Sequence, residues 1–94
     1  MTLSMQERIA EKLARGLQPL VLEIVNESAR HAGHAGDDGS GQTHFHVTVV
    51  SEYFNGKSRV ERQRHIYTLL KEELEQGLHA LSLKALSAAE YDGV

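Results

Sequence analysis

Apolar residues recur in this chain with two different periods, and the order of those periods restricts the fold more than any single motif. Met5, Ile9, Leu13 and Leu17 return every four residues and so share one stripe of a helix. Ser4 followed by Glu7 forms a capping-box pair at its start, and Gly16 with Pro19 closes it, so a helix is expected over 4–17. LVLEIVNES is too short and too β-branched for a helix. It predicts a strand at 20–27, with Leu20, Leu22 and Ile24 on one face. Residues 29–42 are Gly, Asp, Ser and His without a period, which predicts a loop. THFHVTVVS, at 43–51, alternates: Phe45, Val47 and Val49 face one way, and His44, His46 and Thr48 the other. After a turn at EYFNGK, Ser58 with Glu61 opens a second helix over 58–75. Its buried stripe is Ile66, Leu70 and Leu74, flanked by Tyr67 and Leu69, and Gly77 stops it. LHALSLKAL alternates again and predicts a strand at 78–86 with Leu81, Leu83 and Ala85 inside. Ser87 with Glu90 caps a last helical turn through Tyr91.

The order α-β-β-α-β-α defines an α+β fold with a three-stranded mixed sheet and helices packed on one face. Ninety-four residues, spanning 1–94, make one domain with a modest core. The chain has no cysteine, which removes disulfides and thiolate metal sites together. Its apolar runs fall far short of the roughly 18–20 residues that span a bilayer. The N-terminus lacks an apolar signal region and carries Glu7 and Glu11, so a cytoplasmic protein with no membrane partner is expected. A net charge of −3 argues against a general nucleic-acid coat and leaves room only for a local basic patch.

Connectivity decides where the histidines go. Strands one and two are joined by a loop alone and are most simply antiparallel. Strands two and three are joined through a helix and are therefore parallel. His31 leaving strand one, His44 entering strand two and His79 entering strand three thus converge on one end of the sheet, with His34 above them in the loop. Neutral imidazoles suit zinc, copper and iron. Without cysteine, a closed structural zinc site is poorly supported, and mononuclear binding by His31, His34, His44 and His79 stands as one alternative. The other is that these histidines decorate a loop and a solvated sheet face; His44 and His46 are read as strand surface. GHAG (33–36) and GDDG (36–39) match the G-x-x-G clamp of nucleic-acid-binding KH modules. Both lie between strands rather than helices, and Asp37 and Asp38 would repel phosphate, so both are set aside.

GKSRVERQRH, residues 56–65, is the other candidate region. Lys57, Arg59, Arg62 and Arg64 open the long helix, as a solvated face or as a patch for carboxylates, an acidic protein surface or DNA phosphate. No hydrolytic triad, cysteine nucleophile or phosphate-binding glycine loop is present, and enzymatic function is not expected.

LEIVNES followed by His31, then THFHVTVVSEYFNGKS, RQRHIYTLLKEEL and HALSLKA, together resemble the BolA family from about Met5 to Tyr91. The resemblance implies a KH-like (class II) domain without the KH clamp. It also implies a partner rather than a reaction: BolA-like proteins bind monothiol glutaredoxins, as a heterodimer that shares a [2Fe–2S] cluster in iron–sulfur trafficking or iron sensing. The family's cluster histidine falls on His79 and the second, loop ligand on His31, with His34 as a possible alternate. The glutaredoxin cysteine and a glutathione thiol would complete the set. The isolated chain is then expected to be a monomer without a cofactor. Some members are DNA-binding regulators of cell shape and stress response, which implies a rival role for the basic helix. The sequence departs from the family where Arg-Gln-Arg replaces a common Arg-His-Arg at 62–64 and where Tyr91 stands for a closing tryptophan.

Overall fold

A computed structural model describes residues 3–27 and 44–92. Its elements run α1 (Met5–Leu17), β1 (Val21–Asn26), β2 (His44–Val50), a 3-10 turn (Glu52–Phe54), α2 (Arg59–Leu69), α3 (Lys71–Glu75), β3 (Ala80–Leu86) and α4 (Ala88–Asp92). The strands form one mixed sheet in the order β1-β2-β3. β1 is antiparallel to β2, pairing Ile24 with Val47, and β2 is parallel to β3, pairing His44 with Ala80. This is the α+β architecture the periodicity implied.

Each helix start follows its local chemistry. Ser4 and Glu7, Ser58 and Glu61, and Ser87 and Glu90 all exchange the two hydrogen bonds of a capping box. The core is built as the stripes require. Met5, Ile9, Leu13 and Leu17 of α1 meet Phe45, Val47 and Val49 of β2, with Phe54, Ile66, Leu70 and Leu78 closing around them. Ser51 pins the end of β2 to α1: its hydroxyl donates to the Leu17 carbonyl at 2.6 Å and accepts from the Tyr53 N–H at 3.1 Å.

Three expectations are corrected. α1 ends at Leu17 as expected, but the residue in the left-handed closing conformation is Gln18, at φ 43°, and not Gly16. Gly16 is small because α2 crosses there: a Cβ would sit 2.7 Å from Cδ1 of Leu69. Leu20 lies outside β1 and is 61% exposed, so the inward face of that strand is Leu22 and Ile24 alone. The helix expected over 58–75 is two helices, broken at Leu70 (φ −102°, ψ 17°).

The break turns Glu73 of α3 inward, where it is fully buried. Its carboxylate meets Lys12 Nζ at 2.8 Å and the Arg8 guanidinium at 2.9 Å, both from α1. Burial works to raise the Glu73 carboxyl, but hydrogen bonding to Lys12 and the charges of Lys12 and Arg8 outweigh it and hold the group below the ordinary carboxylate value. Arg8 also donates to Gln76, and Lys12 to Glu72, so α1 and α3 are joined by a charged network.

Candidate functional site

Parallel pairing of β2 with β3 sets His44 opposite Ala80, so His79 arrives one residue before the pair, at the same end of the sheet. The two rings lie with centroids 6.4 Å apart and planes 28° from parallel. His44 was read as strand surface and is instead buried, at 8% exposure, while His79 is exposed. β1 ends beside them, its Glu27 N–H donating to the His44 carbonyl at 2.8 Å. A shallow hollow of about 180 Å³ opens there, lined by Glu27, His44, Phe45, Ala80, Leu81 and Ser82.

His31, His34 and both G-x-x-G stretches lie outside the described residues. His46 stays on the outer sheet face, its Nδ1 within 3.0 Å of the Ser82 hydroxyl in a cross-strand pair. Among the described residues no group of three or more His, Cys, Asp or Glu side chains is gathered to hold a metal ion. Two imidazoles supply half of a four-coordinate centre. A [2Fe–2S] cluster takes four protein or thiol ligands. The described residues therefore do not by themselves form a closed centre.

The basic helix is not uniform. Arg62 was grouped with its neighbours as an anion-binding residue, but its side chain is buried at 7% exposure. Its guanidinium donates to the Lys57 and Ala85 carbonyls, both at 3.0 Å, and to the Glu90 carboxylate, and it lies over the Phe54 ring. With its Nε and Nη1 engaged and its side chain buried, Arg62 is an anchor joining α2, β3 and α4 rather than part of an open patch. The backbone N–H of Ser87, the Arg62 guanidinium and the Ser87 hydroxyl together lower Glu90 to about 2. Lys57 sits 5.1 Å from the centre of the Tyr53 ring, whose plane stacks on His65 at 4.6 Å. Arg59 and Arg64 are exposed, and they alone of the four face solvent fully.

Sequence spacing carried a signal for Arg62 but not for the burial of His44. Arg62 stands four residues before Ile66 and so falls on the buried stripe. His44 opens the central strand, which has a neighbour on either side.

Together these features define a small α+β domain that presents an imidazole pair at one end of a mixed sheet and arginines on the following helix. Residues 13–90 match the family described as BolA-like protein, and the chain belongs to the BolA family. It is 52% identical over 87 residues to SufE-like protein 1 of Arabidopsis thaliana, covering 88% of this chain but 24% of that protein. It is 43% identical over 89 residues to the DNA-binding transcriptional regulator BolA of Escherichia coli, covering 95% of this chain and 81% of that one. Among solved structures, BolA1 of Arabidopsis thaliana superposes with a TM-score of 0.85 at 43% identity, over 96% of this chain and 98% of that one. The chain thus spans most of one relative and about a quarter of another.

Proposed function

We propose that this protein is a non-enzymatic adaptor that binds a monothiol glutaredoxin and holds a [2Fe–2S] cluster at the interface with it. The observation that carries this reading is the exposed His79 ring beside His44 at the end of the sheet, in a chain without cysteine. Two imidazoles from this chain and two thiols, from the glutaredoxin cysteine and glutathione, make up four ligands. Imidazole on iron raises the reduction potential relative to all-thiolate ligation and requires a deprotonated nitrogen, which makes the assembly labile to acid. His79 is one ligand. His31, expected from the sequence, and His44, its neighbour in the fold, compete for the second place, with His34 as the alternate. Reconstitution with a monothiol glutaredoxin and glutathione, followed by visible absorption and circular dichroism, separates them. His79→Ala is expected to change the cluster spectrum, and one of His31→Ala, His34→Ala and His44→Ala to change it similarly. A spectrum indifferent to His79→Ala rules the site out.

A second reading, DNA binding through α2, is favoured by the exposed Arg59 and Arg64 and by the similarity to the Escherichia coli DNA-binding transcriptional regulator BolA. Phosphate contacts give a steep salt dependence, and Arg59→Ala and Arg64→Ala are each expected to reduce its slope by about 1. Binding that ignores both substitutions removes this reading.

A further inference from the structure

The sheet has two outer edges, and the fold treats them differently. In β3, the N–H and C=O groups of Ala80, Ser82, Lys84 and Leu86 turn toward β2, as the bond from the Ser51 N–H to the Leu86 carbonyl shows. Those of Leu81, Leu83 and Ala85 turn outward. Two of the three outward carbonyls are occupied by side chains of α2: Tyr67 reaches Leu81 at 3.4 Å and Arg62 reaches Ala85 at 3.0 Å. That edge is blunted against pairing.

Among the described residues, β1 is open by the same criterion. The Glu27 N–H bond to the His44 carbonyl fixes the phase of the antiparallel ladder, so Val21, Glu23 and Val25 turn their backbone toward β2, and Leu22 and Ile24 turn theirs outward. Among the described residues one side chain reaches this outer backbone: Gln6 Nε2 donates to the Ile24 carbonyl at 3.2 Å. No lysine or proline guards the strand. Beside it, between α1 and β1, lies a groove of about 420 Å³ lined by Ser4, Gln6, Glu7, Ala10, Leu22 and Ile24.

Charge selects the occupant. Glu7 on the groove side and Glu23 on the outer face both flank this edge, and no lysine or arginine lines the groove. Glu7 is held below the ordinary carboxylate value by its bonds to Ser4 and is anionic at neutral pH. Pairing β1 with β1 of a second copy would bring two such sets of carboxylates together between chains of net charge −3. We propose that the outer edge of β1 is a strand-addition site for an extended segment of a partner protein that alternates apolar and cationic residues. Its backbone continues the sheet along Leu22 and Ile24, its apolar side chains enter the groove over Ala10, and its cations face Glu23. The site needs no metal and is independent of the cluster reading.

Chemical-shift mapping and amide hydrogen exchange on the full chain test this, with the acetylated and amidated peptide Lys-Val-Lys-Val-Lys-Val as probe. The expected result is saturable shifts and slowed exchange at the Leu22 and Ile24 amides. Glu-Val-Glu-Val-Glu-Val and a lysine peptide N-methylated at alternate residues should give neither. Glu23→Lys, on an exposed position that leaves the core intact, should weaken binding by roughly fivefold, the scale of one exposed charge contact. The proposal is overturned by no saturable response at β1, by shifts confined to β3 or α2, or by equal binding of the acidic peptide. Protection of Leu22 and Ile24 that rises with protein concentration in the absence of peptide would assign the edge to a second copy and overturn it as well.

Discussion

At residue scale, Arg62 illustrates how one side chain can look like a ligand and act as a joint. Its guanidinium closes three separate acceptors, from the turn before α2, from β3 and from α4. Arg62→Ala is expected to destabilise the protein by about 2–3 kcal/mol, because charge-assisted bonds are lost and part-buried carbonyls are left without their donor. In urea denaturation Arg62→Lys should recover only part of this, since an ammonium cannot span the fork, whereas Arg59→Ala should stay within about 0.5 kcal/mol of wild type. Equal stability of the Arg62 and Arg59 variants would show that the buried contacts contribute nothing. The partner carboxylate gives a pH dependence of definite sign. Glu90 falls from an ordinary 4.5 to about 2 in the folded protein, so its contribution is complete above pH 4.5 and is lost as pH falls toward 2. The stability difference between wild type and Glu90→Gln should therefore shrink over that window; a difference constant down to pH 2 would refute the assignment. Arg62 was misread because GKSRVERQRH looks basic as a run, while the helical period already placed it on the stripe of Ile66.

At the scale of elements, the strands and the starts of the helices were legible because their signals are local. Alternation sets a strand face, and three serine–glutamate pairs set three helix starts. The break between α2 and α3 was not legible, since no glycine or proline lies between residues 58 and 76. It is made by tertiary contacts: Leu70 is held in the core, and the next turn presents Glu73 to Lys12 and Arg8 across the interface with α1. Glu73→Gln should thus cost about 1–3 kcal/mol by leaving those cations without their buried partner. Amide exchange should quicken in α3 before it does in the sheet. Uniform acceleration across the molecule would mean that α3 does not respond as a separate unit. The end of α1 at Leu17 was legible, but the role of Gly16 was not, because it answers to the nearness of Leu69 on another helix, which no local pattern records.

At the scale of the whole molecule, topology brings distant residues to one place. Parallel pairing of β2 with β3 brings His44 and His79 together although 35 positions separate them in the chain. The convergence at that end of the sheet was readable from connectivity. The burial of His44 was not, because alternation assigns a side of the sheet without saying what covers its end. His31 and His34 lie outside the described residues, so the second ligand is an experimental question with His44 now among its answers. The proposed function requires an imidazole nitrogen of this chain to ligate a cluster shared with a glutaredoxin. Pulsed electron paramagnetic resonance on the reduced complex, with the chain alone carrying nitrogen-15 histidine, measures that bond directly. A strongly coupled nitrogen-15 signal that weakens or vanishes in His79→Ala is expected, and a complex with no histidine coupling from this chain would refute the ligation.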